Sequence, residues 1–327
     1  MIEGEKCGFI DKNGNTVIPP QYDIAFRFKD GLAPVRVSDK WGYIDMAGKY
    51  VVEPEYEEVT PFHAGFARVR VNGKWAYIDS TGKMVMPPKF DFTSHFAYNR
   101  AIVSIGGKYG VIDRKGEFIA EPRFDMAFHF SEGLAVISLG GKWGYIDTTG
   151  KIAIEPRFQS AENFREGRAM VELNGKWGFI DKTGNFAIEP QLEATWNFMQ
   201  GLARVKMDGK WGYIDKLGKV AIPAAYDSAM NFMEGTARIV MGKKWGFIDK
   251  TGKIVVEPQY ENAMPFNEGR AQVKTDGKWG YIDSTGAMVI QPKFDRAGNF
   301  EDGLAMIDIG GKSGYIDKSG KIVWQSK

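Results

Sequence analysis

The sequence predicts an all-β tandem repeat. Each 34-residue unit reads as a three-stranded antiparallel meander plus one short helical turn, and the units stack as an open superhelix. Three observations carry this. Ten Ile-Asp pairs, from Ile10-Asp11 to Ile316-Asp317, stand at an invariant step of 34 residues. Such a period marks units that bury their apolar faces only against neighbours. Turn signals then divide every unit into three short runs of strand length. Finally, the outermost copies carry Cys7 and Ser313 in a column that otherwise holds Trp or Tyr, as the unpaired ends of an open array require.

The copy at residues 201–234, GLARVKMDGKWGYIDKLGKVAIPAAYDSAMNFME, shows the elements in order. Its leading strand ends at Asp208-Gly209, matched by Asn72-Gly73, Asn174-Gly175 and Asp276-Gly277. These dipeptides accept the positive φ of a tight hairpin, so the central strand runs back antiparallel. Asp-x-x-Gly follows, with Gly in all ten copies from Gly14 to Gly320, the pattern of a type I turn closed by a left-handed residue. The return strand is then antiparallel to the central one. In the tail an acid follows the aromatic column, in which Leu192 is the one aliphatic member, in eight of nine copies, as at Asp227, with Gln159 the exception. That acid suits the N-cap of a single helical turn, and Gly201 or Gly235 suits its close. One array thus fills residues 1–327: a partial first copy at 1–30, full copies from 31 in steps of 34, and a last copy at 303–327 without its tail.

The columns of the repeat say which faces are buried. Recurrent residues fall on both parities of the central strand, Lys, Gly and Ile on one and Trp, Tyr and Asp on the other, so that strand is sandwiched. In the leading strand Ala recurs from Ala33 to Ala305, which marks an inward parity. The next position holds Pro34, Arg68, Ile102, Val136, Met170, Arg204, Arg238, Gln272 and Met306, too mixed for one packing role, and is read as outward. A closed β-propeller of about ten small blades is the alternative architecture, because a meander leading into a crossing tail also serves as a blade. The chain starts at the central strand, Glu5-Lys6-Cys7, and ends after a complete set at Trp324. A strand missing at one end has no spare at the other, which favours the open form.

Composition narrows the function classes. Lys+Arg at 43 against Asp+Glu at 41 leaves a formal charge of +2, far from the excess that nucleic-acid binding needs. No apolar run is long enough to cross a membrane as a helix. The start MIEGEKCGFI lacks the apolar region of a signal peptide, so a soluble protein, cytoplasmic rather than secreted, is expected. The single Cys7 excludes an internal disulfide framework.

The string Gly209-Lys210-Trp211-Gly212-Tyr213-Ile214-Asp215, repeated at 141–147 and 277–283, resembles the WG (KWG) repeat family of bacteria. Trp-Gly recurs at 41, 143, 177, 211, 245 and 279 in register with the Ile-Asp pairs, and the resemblance covers the chain. It implies a β-repeat interaction module, often attached to other domains, with no catalytic motif to carry over. Tyr109 replaces the Trp in one copy and Ala76 the Gly in another.

Catalysis by the repeated Lys and Asp columns is not expected, since a group present in every copy serves the unit, whereas an active site needs different residues converging at one place. Asp at the start of the turn accepts its backbone hydrogen bonds. Gly311-Lys312-Ser313 fails as a phosphate loop, because Met306 stands where the first Gly is required. His63, His95 and His129 lie in consecutive copies, but no third ligand is evident for a metal in any one column, and no cofactor is implied. Three surfaces remain. The leading-strand column offers Arg68, Arg204 and Arg238 as an anion-facing stripe. A tail column offers Phe26, Phe128, Trp196, Met230 and Met264 as interface anchors or as padding of the tail. Glu53, Glu121, Glu155, Glu189 and Glu257 form an acidic ladder on the return strand.

The expected function is a non-enzymatic scaffold that binds another protein or an adjoining domain through these variable residues, with neither nucleic acid nor membrane insertion involved. The alternative is a carbohydrate-binding module whose aromatics stack on a glycan, which needs exposed Trp and predicts strong acrylamide quenching. An enzyme assembled from His95, His129 and Tyr98 in the atypical copy KFDFTSHFAYNRAIV ranks third.

Overall fold

A computed structural model of the chain describes residues 2, 3 and 5–326, with side chains from residue 5. Every regular element among them is a strand, and no helix occurs. Nine four-stranded antiparallel sheets and a first sheet of three strands form the blades of a β-propeller. In a typical blade the tail strand Ala194–Thr195, the leading strand Ala203–Met207, the central strand Lys210–Ile214 and the return strand Val220–Tyr226 lie side by side in that order.

The hairpins follow from their turn residues. Asp208 and Gly209 both have positive φ, 49° and 79°, as a two-residue turn between twisted strands demands. At the opposite end Asp215 Oδ1 accepts the N–H groups of Leu217 and Lys219 at 2.9 and 3.0 Å, so the repeated aspartate satisfies the turn as expected.

The expected helical turn is corrected. After its two-residue strand the tail closes a second tight hairpin, in which Gln200 and Gly201 have φ of 54° and 89° and Met199 pairs with Leu202. Tail backbone groups bond the leading strand instead of their own i+4 partners, as in Met230 N–H to Arg238 O at 2.9 Å. The acid after the aromatic caps no helix either. Asp227 Oδ1 accepts from Lys210 Nζ at 2.5 Å and Oδ2 from the Gly242 N–H at 2.9 Å, tying two successive copies at their hairpin tips.

The glycine of the Trp-Gly pair has a steric cause. Trp211 pairs with Tyr226 and Tyr213 with Ile222, so the return strand bulges toward the central one between those pairs. A Cβ on Gly212 would lie 2.6 Å from Ile222 O and 2.7 Å from Ala224 N.

The cores lie between consecutive blades. Tyr213, Ile222 and Tyr226 from one blade close on Ala229, Phe232, Ala237, Ile239 and Ile248 from the next. The Tyr213 hydroxyl donates to Met230 O across this seam at 2.6 Å, and burial raises its pKa. Ala in the leading strand is buried as expected. The opposite parity, read as outward, faces a neighbouring copy as well: Ile102 and Val136 are 0% exposed and Gln272 is 2%. Its mixed composition reflects different neighbours in the next tail, except in the last copy, where Met306 is 51% exposed.

The chain divides into two compact units, Met1–Phe9 with Thr16–Asn174 and Lys182–Gly184, and Ile10–Asn15 with Gly175–Asp181 and Asn185–Lys327. In each, the turn glycine of one copy packs on the return strand of the copy before it, Gly82 on Val52 in the first unit and Gly252 on Ile222 in the second. The second unit also contains the contact that overturns the open superhelix. A Cβ on Gly14 would lie 2.2 Å from Val323 O, so the first turn sits on the last return strand as the other turns sit on theirs. No exchanged strand is needed for this, which is why counting strands at the two ends misled. Cys7 and Ser313 are accordingly not the caps of free ends. Cys7 is half-buried against Ile18, Tyr22, Ala33 and Val35, and Ser313 Oγ donates to Asp308 at 2.6 Å.

Candidate interaction site

Two columns nominated separately from the sequence meet in space. The leading-strand arginine of one blade reaches the tail strand of the next blade. Arg204 Nη1 donates to Ala229 O at 2.5 Å and lies 3.2 Å from Met230 Sδ. Arg238 repeats this one copy later, with Ala263 O at 2.6 Å and Met264 Sδ at 3.8 Å. Arg68 makes the corresponding bond to Thr93 O, but Ser94 occupies the methionine column there.

Aromatic rings enclose these guanidinium groups. Arg204 Cζ stands 4.1 Å from the Trp196 ring centroid and 5.4 Å from that of Trp211, and the two rings meet edge to face at 6.2 Å. Arg238 lies over Trp245 at 5.4 Å and Arg68 over Trp75 at 5.7 Å. Burial lowers the pKa of all three arginines, and the charge of Arg204 adds to the effect at Arg238. They nevertheless remain charged, because guanidinium does not deprotonate in proteins. Cation–π contact of this kind contributes about 0.5–2 kcal/mol.

Five of the eight nominated residues therefore form one cluster in the second unit: Trp196, Arg204, Met230, Arg238 and Met264. Trp196 is its exposed edge at 47%. Phe26, Phe128 and Arg68 lie in the first unit. Phe26 stacks on Trp41 at 5.3 Å and 5°, and Phe128 on Trp143 at 5.6 Å and 4°, while both remain partly exposed. They pad the tail with one face and present the other. Trp211 and Trp245, members of the recurrent central-strand column, belong to the cluster as well. Their place in the cluster was readable from the Asp208-Gly209 hairpin, whose register sets Trp211 opposite Lys206 and Tyr213 opposite Arg204, on one face.

The histidines form a second row in the first unit. The His63 and His95 ring centroids are 4.6 Å apart and those of His95 and His129 5.7 Å, with Asn163 Nδ2 3.4 Å from His129 Nε2. Burial, then the neighbouring His63 and His129, hold the His95 pKa below its ordinary value. Among the described residues no group of three or more His, Cys, Asp or Glu is placed to hold a metal. Tyr98 is exposed in the tail hairpin with φ of 53°. Glu53, Glu121, Glu155, Glu189 and Glu257 are exposed, as expected of a solvated ladder. No helix is long and apolar enough to cross a membrane.

A family model described as "WG containing repeat" matches nine successive segments from residue 8 to residue 312. No curated protein matches the sequence. Among solved structures, "Crystal structure of the eukaryotic initiation factor" aligns over 91% of this chain and 96% of its own, with a TM-score of 0.56 and 10% identity, a likeness of fold alone. BamB from Moraxella catarrhalis aligns over 94% and 97% at a TM-score of 0.38 and 10% identity. Dihydro-heme d1 dehydrogenase NirN aligns over 92% and 74% at 0.42 and 14%.

Proposed function

The chain belongs to the WG-containing repeat family, and from that premise we propose that it is a non-enzymatic propeller scaffold that binds another protein through the arginine–tryptophan–methionine cluster of its second unit. The observation that carries this reading is the convergence of Trp196, Arg204, Met230, Arg238 and Met264 from three successive copies, at positions the repeat itself leaves variable. Trp, Arg and Met are the side chains that concentrate binding energy at protein interfaces, and the thioethers adapt to irregular partners. The recurrent polar groups are largely consumed by structure: the repeated Asp serves its turn, and the hydroxyls of Tyr43, Tyr77, Tyr145, Tyr213 and Tyr281 each donate to a tail carbonyl. The glycan alternative draws less support, because Phe26 and Phe128 give one ring face to a tryptophan.

Replacing Trp196 and Met230 together by Ala tests the reading. Capture of a partner identified by pull-down with the wild-type chain is expected to weaken by at least about tenfold. Unchanged capture by a variant with wild-type circular dichroism and melting would remove this surface from the proposal.

A further inference from the structure

The cluster carries a feature that bears on the chemistry of the partner. Central-strand lysines that face the next tail are matched there by carboxylates: Lys6 with Asp23, Lys108 with Asp125, Lys210 with Asp227 and Lys278 with Asp295, at 2.5–2.7 Å. The leading-strand arginines Arg204 and Arg238, like Arg68, meet a carbonyl of the next tail where those lysines meet a carboxylate. Arg204 and Arg238 stand on consecutive copies and are linked through Met230, whose N–H donates to Arg238 O at 2.9 Å and whose Sδ lies 3.2 Å from Arg204 Nη1. Each gives Nη1 to one backbone carbonyl and a methionine Sδ, neither of them charged, and each Nε is buried without an acceptor. Among the described residues neither forms an ion pair. Two desolvated guanidinium groups side by side without counter-ions are costly, and a carboxylate held by two donors is the complement that offsets the cost. Around them Trp196, Trp211, Met230 and Met264 supply apolar and polarisable surface, with Trp196 at the exposed edge.

We propose that the Arg204–Arg238 pair anchors an acidic side chain of the partner polypeptide, with an apolar residue beside that Asp or Glu resting on Trp196 and Met230. The inference rests on the scaffold reading and adds the partner's charge to it. The apolar contacts supply affinity, and the carboxylate supplies register and selectivity, since an uncharged isostere leaves both guanidinium groups without a counter-ion. A free anion without the adjoining apolar group gains only the second part.

The test uses the full chain and two fluorescein-labelled eight-residue peptides, one of alternating glutamate and leucine and one with glutamine in place of every glutamate, followed by anisotropy. The glutamate peptide is expected to bind at least about tenfold tighter than its glutamine counterpart and to weaken as salt rises. R204Q and R238Q are each expected to erase most of that preference. R204K, which keeps the charge but loses the planar fork, restores part of it, and K115Q, which removes an exposed charge from the first unit, changes nothing. Equal binding of the two peptides overturns the proposal, as does binding of neither, insensitivity to both arginine variants, or displacement of the peptide by inorganic phosphate as effective as by the unlabelled glutamate peptide. The two readings fail separately. Equal peptides with partner capture still lost in the Trp196→Ala, Met230→Ala protein would leave the scaffold standing without its acidic anchor, whereas capture unaffected by those alanines removes both.

Discussion

At the residue scale, each repeated side chain has one local duty, and the strictest belongs to the glycine of the Trp-Gly pair. Gly212 faces a return-strand backbone that passes within 2.6 Å of any Cβ placed there. Replacing it with Ala forces either the Ile222 carbonyl or the central strand to move. The expected cost is about 1–3 kcal/mol, the range for overpacking a filled interior, read as a lower urea midpoint at constant m-value. Ala76 stands fully buried in the same column, so one copy accommodates a methyl group. A midpoint unchanged in Gly212→Ala would show that all copies yield in that way. The residue types in the columns were legible from sequence, because a role that recurs in every copy leaves a recurring letter. The reason for the glycine was not, since it depends on a two-residue bulge in a different strand. The tyrosine hydroxyls show the same division. Their burial was readable from apolar neighbours, but their acceptor, a carbonyl of the next tail, belongs to tertiary geometry.

At the scale of elements, hairpins were the readable parts and the tail was not. Asp208-Gly209 and the Asp-x-x-Gly turns announce themselves because few residue types accept positive φ. The tail spaces an alanine and a phenylalanine three residues apart, as Ala229 and Phe232, which fits one helical turn as well as a short strand and a hairpin. Hydrogen bonds to the leading strand decide between the two, and those are not local. The same misreading concealed the task of the acid after the aromatic residue, which joins the central-strand lysine to a hairpin N–H of the following copy. Side-chain hydrogen bonds from lysine, then backbone N–H groups, hold Asp23, Asp91, Asp125, Asp227 and Asp295 below the ordinary carboxylate pKa. A carboxylate whose pKa is depressed in the folded state stabilises that state above its unfolded pKa of about 3.9 and loses this contribution as pH falls through the folded value. Denaturant stability is therefore expected to decline from about pH 4 downward. Asp227→Asn should make that decline shallower while lowering stability at neutral pH. An identical acid profile in the variant would show that this pair contributes nothing to folding.

At the scale of the whole molecule, the decisive contact is small. Gly14 on Val323 reproduces at the two ends of the chain the packing that joins one copy to the next. Val323→Asp places a charge on that strand beside the first turn and is expected to accelerate hydrogen exchange at residues 11–15 by at least about tenfold, with a lower melting temperature. Unaltered exchange there would mean that the first turn holds itself. The candidate site depends on the same stacking. Its arginine and tryptophan columns were visible as separate irregularities, and the seam between consecutive copies made them one surface. The sequence by itself determined the repeat, its period, its antiparallel hairpins, the buried alanine parity and the family, because these depend on steric rules acting within about 34 residues. Only the tertiary structure decided that the tail is a strand, that the variable parity faces a neighbour, and that the first turn meets the last strand. Each of those depends on backbone and side-chain partners supplied by another copy, and a residue's own sequence neighbours carry no record of which copy will supply them.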